Sequence, residues 1–102
     1  MERKEFDELV SSGTHLVDFY AEWCGPCKQL KPVVEGLKTE YEGKAGVHVI
    51  DVDGSSDLAT SLGIRSIPTV IIFKDGEEIS RSMGYKSKDF FTQKINENLV
   101  ES

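Results

Sequence analysis

Apolar residues along this chain recur in two different periods, and each change of period marks a new element. The segment "EFDELVSSG" spaces Phe6, Leu9 and Val10 as a helix does and runs out at Gly13. "HLVDFYA" then stacks strand-forming apolar residues almost without a break, the pattern of a strand covered on both faces. From Cys27 the period becomes helical again. "CKQLKPVVEGLKTEYEG" lines up Leu30, Val33, Val34, Leu37 and Tyr41 on one side. "GVHVIDVD" predicts a second buried strand, and "SSDLATSLGI" a short helix opened by serine and closed at Gly63. "TVIIFKDGEEISRSMG" predicts two strands joined at Asp75-Gly76, because both central residues of such a tight turn need positive φ. "SKDFFTQKINENLVES" predicts a closing helix capped by Ser87, with Phe91, Ile95 and Leu99 facing inward.

The predicted order is α-β-α-β-α-β-β-α. Strand–helix–strand units favour parallel pairing with a right-handed crossover, and the late hairpin adds antiparallel strands. The fold class is therefore α/β: a mixed four-stranded sheet with helices on both faces. No repeat, low-complexity run or linker interrupts the pattern, so residues 1–102 read as one domain. In such sheets, chemistry gathers where strands end and helices begin, and Cys24 falls at such a junction.

Composition narrows the options. With 102 residues, 38% hydrophobic and 29% charged, the chain has the make-up of a soluble globular domain. It has no apolar run approaching the ~20 residues that cross a bilayer, so no membrane association is expected. A net charge of −6 repels phosphate backbones and argues against nucleic acid as a partner. The charged start "MERKEFDELV" has no signal-peptide core, and a cytoplasmic location is expected. Two cysteines cannot build a multi-disulfide framework. That leaves metal binding, redox chemistry, or two inert thiols.

Both cysteines lie in "WCGPC", read as a strand end followed by the first turn of a helix. Backbone N–H groups there lack internal partners and the helix dipole is positive, so a thiolate at Cys24 is favoured. Pro26 is tolerated so early in a helix, where its missing N–H would have been an orphan. Gly25 lets another backbone approach the sulfur. The i, i+3 spacing puts both sulfurs on one helical face, able to close or open a disulfide with little backbone motion. Cys27 lies one turn deeper, which predicts that Cys24 attacks from the surface and Cys27 resolves from inside. A structural zinc site would need four ligands, and beyond the cysteines there are only His15 and His48, far apart in sequence. Both histidines read as ordinary surface or strand residues, and no metal site is expected. Asp18, inside "LVDFY", is the other unusual feature. Buried, its pKa should rise, and beneath the sulfurs it could take the proton of Cys27 as a general base. The bland alternatives are an aspartate satisfied by nearby donors or one facing solvent.

Three stretches together resemble the thioredoxin family: "VDFYAEWCGPCKQLKP", "GIRSIPTVIIFKDGEEI" and "MGYKSKDFFTQKI". The resemblance covers most of the chain from about Phe6 onward and implies the thioredoxin fold. It also implies a thiol–disulfide oxidoreductase that reduces protein disulfides through Cys24, Cys27 and Asp18. Trp23, Gly25, Pro26, Ile67, Pro68 and Gly84 would form the apolar patch that binds substrate, with Pro68 matching the family's cis-proline. Pro32 matches a proline that bends the long helix. The implied partners are thioredoxin reductase and disulfide-containing client proteins; the chain would act as a monomer with no cofactor beyond the redox-active Cys24–Cys27 disulfide. Oxidising relatives tend to carry a histidine between the cysteines; proline at 26 favours a reducing role. A docking or chaperone module on the same fold, without redox turnover, is the competing reading. Four departures from the family stand out. The N-terminal edge strand is short or absent, and Tyr20 replaces a common tryptophan. Tyr85 replaces a small residue, and Val49 a lysine near the buried aspartate. Without that cation Asp18 should be harder still to ionise.

Overall fold

A computed structural model of the chain describes residues 1–99. Its elements run α1 (Arg3–Leu9), β1 (Thr14–Tyr20), α2 (Gly25–Glu40), β2 (Gly46–Asp51), α3 (Ser56–Ser61), β3 (Thr69–Lys74), β4 (Glu77–Met83) and α4 (Lys88–Leu99). The four strands form one sheet in the order β2-β1-β3-β4. β1 pairs parallel with β2 and antiparallel with β3, and β3 pairs antiparallel with β4. No strand precedes α1 among the described residues, so β2 forms one edge of the sheet.

The alternation of side chains along β1 sends residues to two separate cores. Leu16 meets Leu30, Val34 and Leu37 of α2 and Phe91 and Ile95 of α4. Val17 and Phe19 meet Phe6 and Val10 at the α1 end and Leu58 of α3. β1 is thus covered on both faces, and burying each large side chain there contributes roughly 1.5–3 kcal/mol. Asp18 sits on the α2 face between Val49 of β2 and Val70 of β3.

Local signals account for most boundaries. Asp75 and Gly76 both have positive φ, 51° and 86°, as the β3–β4 turn requires. The Phe90 N–H donates to Ser87 Oγ at 3.3 Å, capping α4. Two expectations need correction. α1 ends at Leu9, before Gly13, because the Val10 N–H already closes the last turn and Gly13, at φ 82°, is needed to enter β1. β2 is not buried throughout: it is an edge strand, and Val49 is 54% exposed. The last three residues of the expected closing helix, 100–102, lie outside the described residues.

Candidate active site

The chain leaves β1 at Tyr20, turns through Ala21–Trp23 and enters α2 with Cys24 as its N-cap. Cys24 is extended, with φ −88° and ψ 116°, and its Sγ accepts the Cys27 N–H at 3.2 Å. Pro26 occupies the first turn, where no intrahelical donor is required of it. Cys24 and Cys27 form a disulfide with their Cα atoms 5.2 Å apart. Pro32 lies inside α2 and removes one backbone bond from the helix.

The sequence predicts an exposed Cys24 over a deeper Cys27. The structure corrects this, since both residues are 4% exposed. The cause is the segment before β3: Ile67 packs against the cysteine pair, and Cys24 Sγ lies 3.8 Å from the Ile67 carbonyl oxygen. What separates the two sulfurs is their surroundings. Cys24 faces the Ile67–Pro68 segment, whereas Cys27 opens onto a cavity of about 430 Å³ that it shares with Asp18.

Asp18 is 3% exposed, and its Oδ1 is buried with no protein hydrogen-bond partner. Burial raises its pKa from 3.8 to about 7. The reading in which nearby donors satisfy this carboxylate is thereby excluded for Oδ1. Val49, Lys28 and Lys31 also line the cavity. Sequence reasoning passed over the two lysines, although Lys31 stands at i+4 from Cys27 and so shares its helix face.

The residues of the expected patch come together in part. The Ile67–Pro68 bond is cis, and the Gly84 N–H donates to the Pro68 carbonyl at 2.8 Å. Gly84 has φ 85°, which favours glycine. Gly25 and Pro26 are exposed, Ile67 and Gly84 half-buried, and Pro68 buried beneath them. Trp23 is 70% exposed, with its indole N–H donating to Asp53 Oδ2 at 2.9 Å. Met83 and Tyr85, exposed on either side of Gly84, extend the apolar surface. The sequence flagged Tyr85 but not Met83 or Asp53, whose place beside the site depends on contacts between distant segments.

Among the described residues, no group of three or more His, Cys, Asp or Glu side chains could hold a metal ion. Among them, too, no helix is long and apolar enough to cross a membrane. His15 and His48, distant in sequence, are neighbours in space: His15 Nδ1 lies 3.0 Å from His48 Nε2.

A cysteine pair that caps a helix and closes on itself above a buried carboxylate suits dithiol–disulfide exchange, and the molecule is a thiol–disulfide oxidoreductase. The family model "Thioredoxin" matches residues 1–97. The chain belongs to the thioredoxin family. A thioredoxin of Staphylococcus aureus is 43% identical over 95 residues, covering 93% of this chain and 91% of the relative. One from Staphylococcus saprophyticus is 44% identical over 94 residues, covering 92% and 90%. Among solved structures, a mutant thioredoxin from Halobacterium salinarum superposes with a TM-score of 0.90 at 37% identity, covering all of this chain and 89% of that one. The Malassezia sympodialis thioredoxin gives 0.86 at 32% identity, covering 97% and 89%.

Proposed function

We propose that the chain reduces disulfides of client proteins, with Cys24 as nucleophile, Cys27 as resolving thiol and Asp18 as the base that serves Cys27. In the dithiol form, the Cys24 thiolate attacks one sulfur of a client disulfide. One S–S bond forms, the client S–S bond breaks, and the released client sulfur takes up a proton. Asp18 then accepts the Cys27 proton, and the Cys27 thiolate attacks Cys24. The mixed disulfide breaks, the second client thiol departs, and the Cys24–Cys27 disulfide remains. Two electrons have passed to the client, carried by the sulfurs alone, so the reaction calls for no bound cofactor.

The observation that carries this reading is the shared cavity of Asp18 and Cys27 beside the Cys24–Cys27 disulfide. The Cys27 N–H aimed at Cys24 Sγ and the positive end of α2 support a thiolate at residue 24. Trp23, Gly25, Pro26, Ile67, Pro68 and Gly84 form the proposed client-docking surface, supported by their position around the disulfide and by the exposed apolar Trp23. Proline at 26 supports the reducing direction. Thioredoxin reductase would restore the dithiol, in the cytoplasm, with the chain acting as a monomer and residues 1–102 as one domain; the family match over 1–97 supports these assignments.

The test is turnover of a protein disulfide such as that of insulin, with a reductase supplying electrons. Wild type should reduce it catalytically and Cys24→Ser should not. Absence of turnover in the wild type would instead leave the fold as a docking module, and full activity in Cys24→Ser would remove Cys24 as the nucleophile.

A further inference from the structure

The His15–His48 pair takes no part in disulfide exchange. It lies toward the far end of β1, roughly 16 Å of strand from Tyr20 at the usual rise per residue. Three features show that the pair is assembled rather than incidental. First, His15 Nε2 lies 2.8 Å from the Ser12 carbonyl oxygen. A carbonyl only accepts, so Nε2 carries the hydrogen and Nδ1 of the neutral ring keeps its lone pair. Second, that Nδ1 meets His48 Nε2 at 3.0 Å, with ring centroids 5.2 Å apart, so the two rings meet end to end rather than face to face. Third, both nitrogens crowd Gly46, which faces His15 across the β1–β2 register. A Cβ there would come within 2.6 Å of His48 Nε2 and 2.9 Å of His15 Cε1, and nearer still to His15 Nδ1. Only glycine at 46 leaves the imidazoles this space.

We propose that His15 Nδ1 and His48 Nε2 form a two-histidine chelate for a divalent transition ion that accepts ligands at right angles, of the nickel(II) or copper(II) class. Two nitrogens 3.0 Å apart, at metal–nitrogen bonds of about 2.0–2.1 Å, subtend about 91–97° at the metal. That lies near the angle between adjacent corners of a square or octahedron, and a tetrahedral site would need the nitrogens to spread farther as the rings turn. His15 already has the arrangement typical of a metal-bound imidazole, with its other nitrogen anchored to a backbone carbonyl. Chelation moves the His48 hydrogen from Nε2 to Nδ1 and turns the half-exposed rings until both lone pairs converge. The neutral pair releases no net proton. Water completes the coordination, because no third His, Cys, Asp or Glu joins the pair among the described residues.

The test is titration of the full-length, disulfide-form chain with Ni²⁺, followed by calorimetry and by paramagnetic broadening of backbone amide resonances. The expected result is one ion per chain, with broadening centred on His15, Gly46 and His48. His48→Gln and His15→Gln should each weaken binding at least about tenfold. Gly46→Ala should do the same while retaining both imidazoles. All three variants should keep the wild-type rate of disulfide reduction, which certifies the fold. Absence of saturable one-to-one binding, or binding unchanged in His48→Gln and His15→Gln, would overturn the proposal.

Discussion

Asp18 and Cys27 line one cavity, Asp18 from β1 and Cys27 from the first turn of α2. The carboxylate is buried with Oδ1 unpartnered, and desolvation moves its pKa into the neutral range, to about 7. A base with that pKa is matched to neutral pH, where it is partly ionised and still basic enough to accept a thiol proton. The pairing of this carboxylate with this sulfur is the core of the proposed mechanism.

The kinetic consequence is a pH-dependent resolving step. Its rate should climb as pH rises through about 7, where Asp18 loses its proton. Asp18→Asn should remove that inflection and slow resolution by on the order of 10²-fold at pH 7.5, in line with general-base catalysis. Stopped-flow decay of a preformed mixed disulfide measures this directly. An unaltered profile in Asp18→Asn would remove the carboxylate from the chemistry.

Stability should follow with the opposite sign. Between pH 3.8 and about 7 the folded chain holds a proton on Asp18 that the unfolded chain has released. Unfolding then sheds a proton, so stability from this group falls as pH rises across that window. Asp18→Asn carries no such penalty. It should match wild type near pH 4 and exceed it above pH 7, by an upper bound of roughly 4 kcal/mol at 1.36 kcal/mol per pKa unit. Thermal melts of both proteins from pH 4 to 8 check the divergence.

Val49 stands opposite Asp18 in the β1–β2 register, is 54% exposed and lines the same cavity. Val49→Lys would put an ammonium beside the carboxylate. An opposite charge within about 4–6 Å lowers a carboxylate pKa by roughly 1–3 units. The resolving-step inflection should therefore move below its wild-type position, and NMR titration of the Asp18 carboxyl carbon should show the same displacement.

Trp23 is 70% exposed, and its hydrogen bond to Asp53 is at the surface. Trp23→Ala should leave thermal stability within about 0.5 kcal/mol, as surface substitutions do. If this indole anchors clients, loss of about 1.4 kcal/mol of docking energy raises KM about tenfold. Steady-state reduction of a protein disulfide, set beside the melting curve, separates the two effects.

Much of this was legible in local pattern. The turn at Asp75-Gly76, the Ser87 cap and the switch into α2 at Cys24 are written in neighbouring residues, and each of these three features formed where its own sequence placed it. The buried Asp18 was legible because a carboxylate amid "LVDFY" breaks an otherwise apolar strand. What local pattern missed depends on contacts between distant segments. The equal burial of Cys24 and Cys27 comes from Ile67, at least forty residues away. The meeting of His15 and His48 depends on the parallel register of β1 and β2 and on the space left by Gly46. The exposure of Val49 follows from β2 lying at the edge of the sheet.

Because both cysteines are equally buried in the disulfide form, the order of attack is the claim most in need of a direct test. That test is trapping with Cys27→Ser and, in parallel, Cys24→Ser, each reduced and then mixed with a client disulfide and mapped by mass spectrometry. The account predicts a stable client adduct on Cys24 in the Cys27→Ser protein and none in Cys24→Ser. An adduct forming on Cys27 as fast as on Cys24 would contradict it.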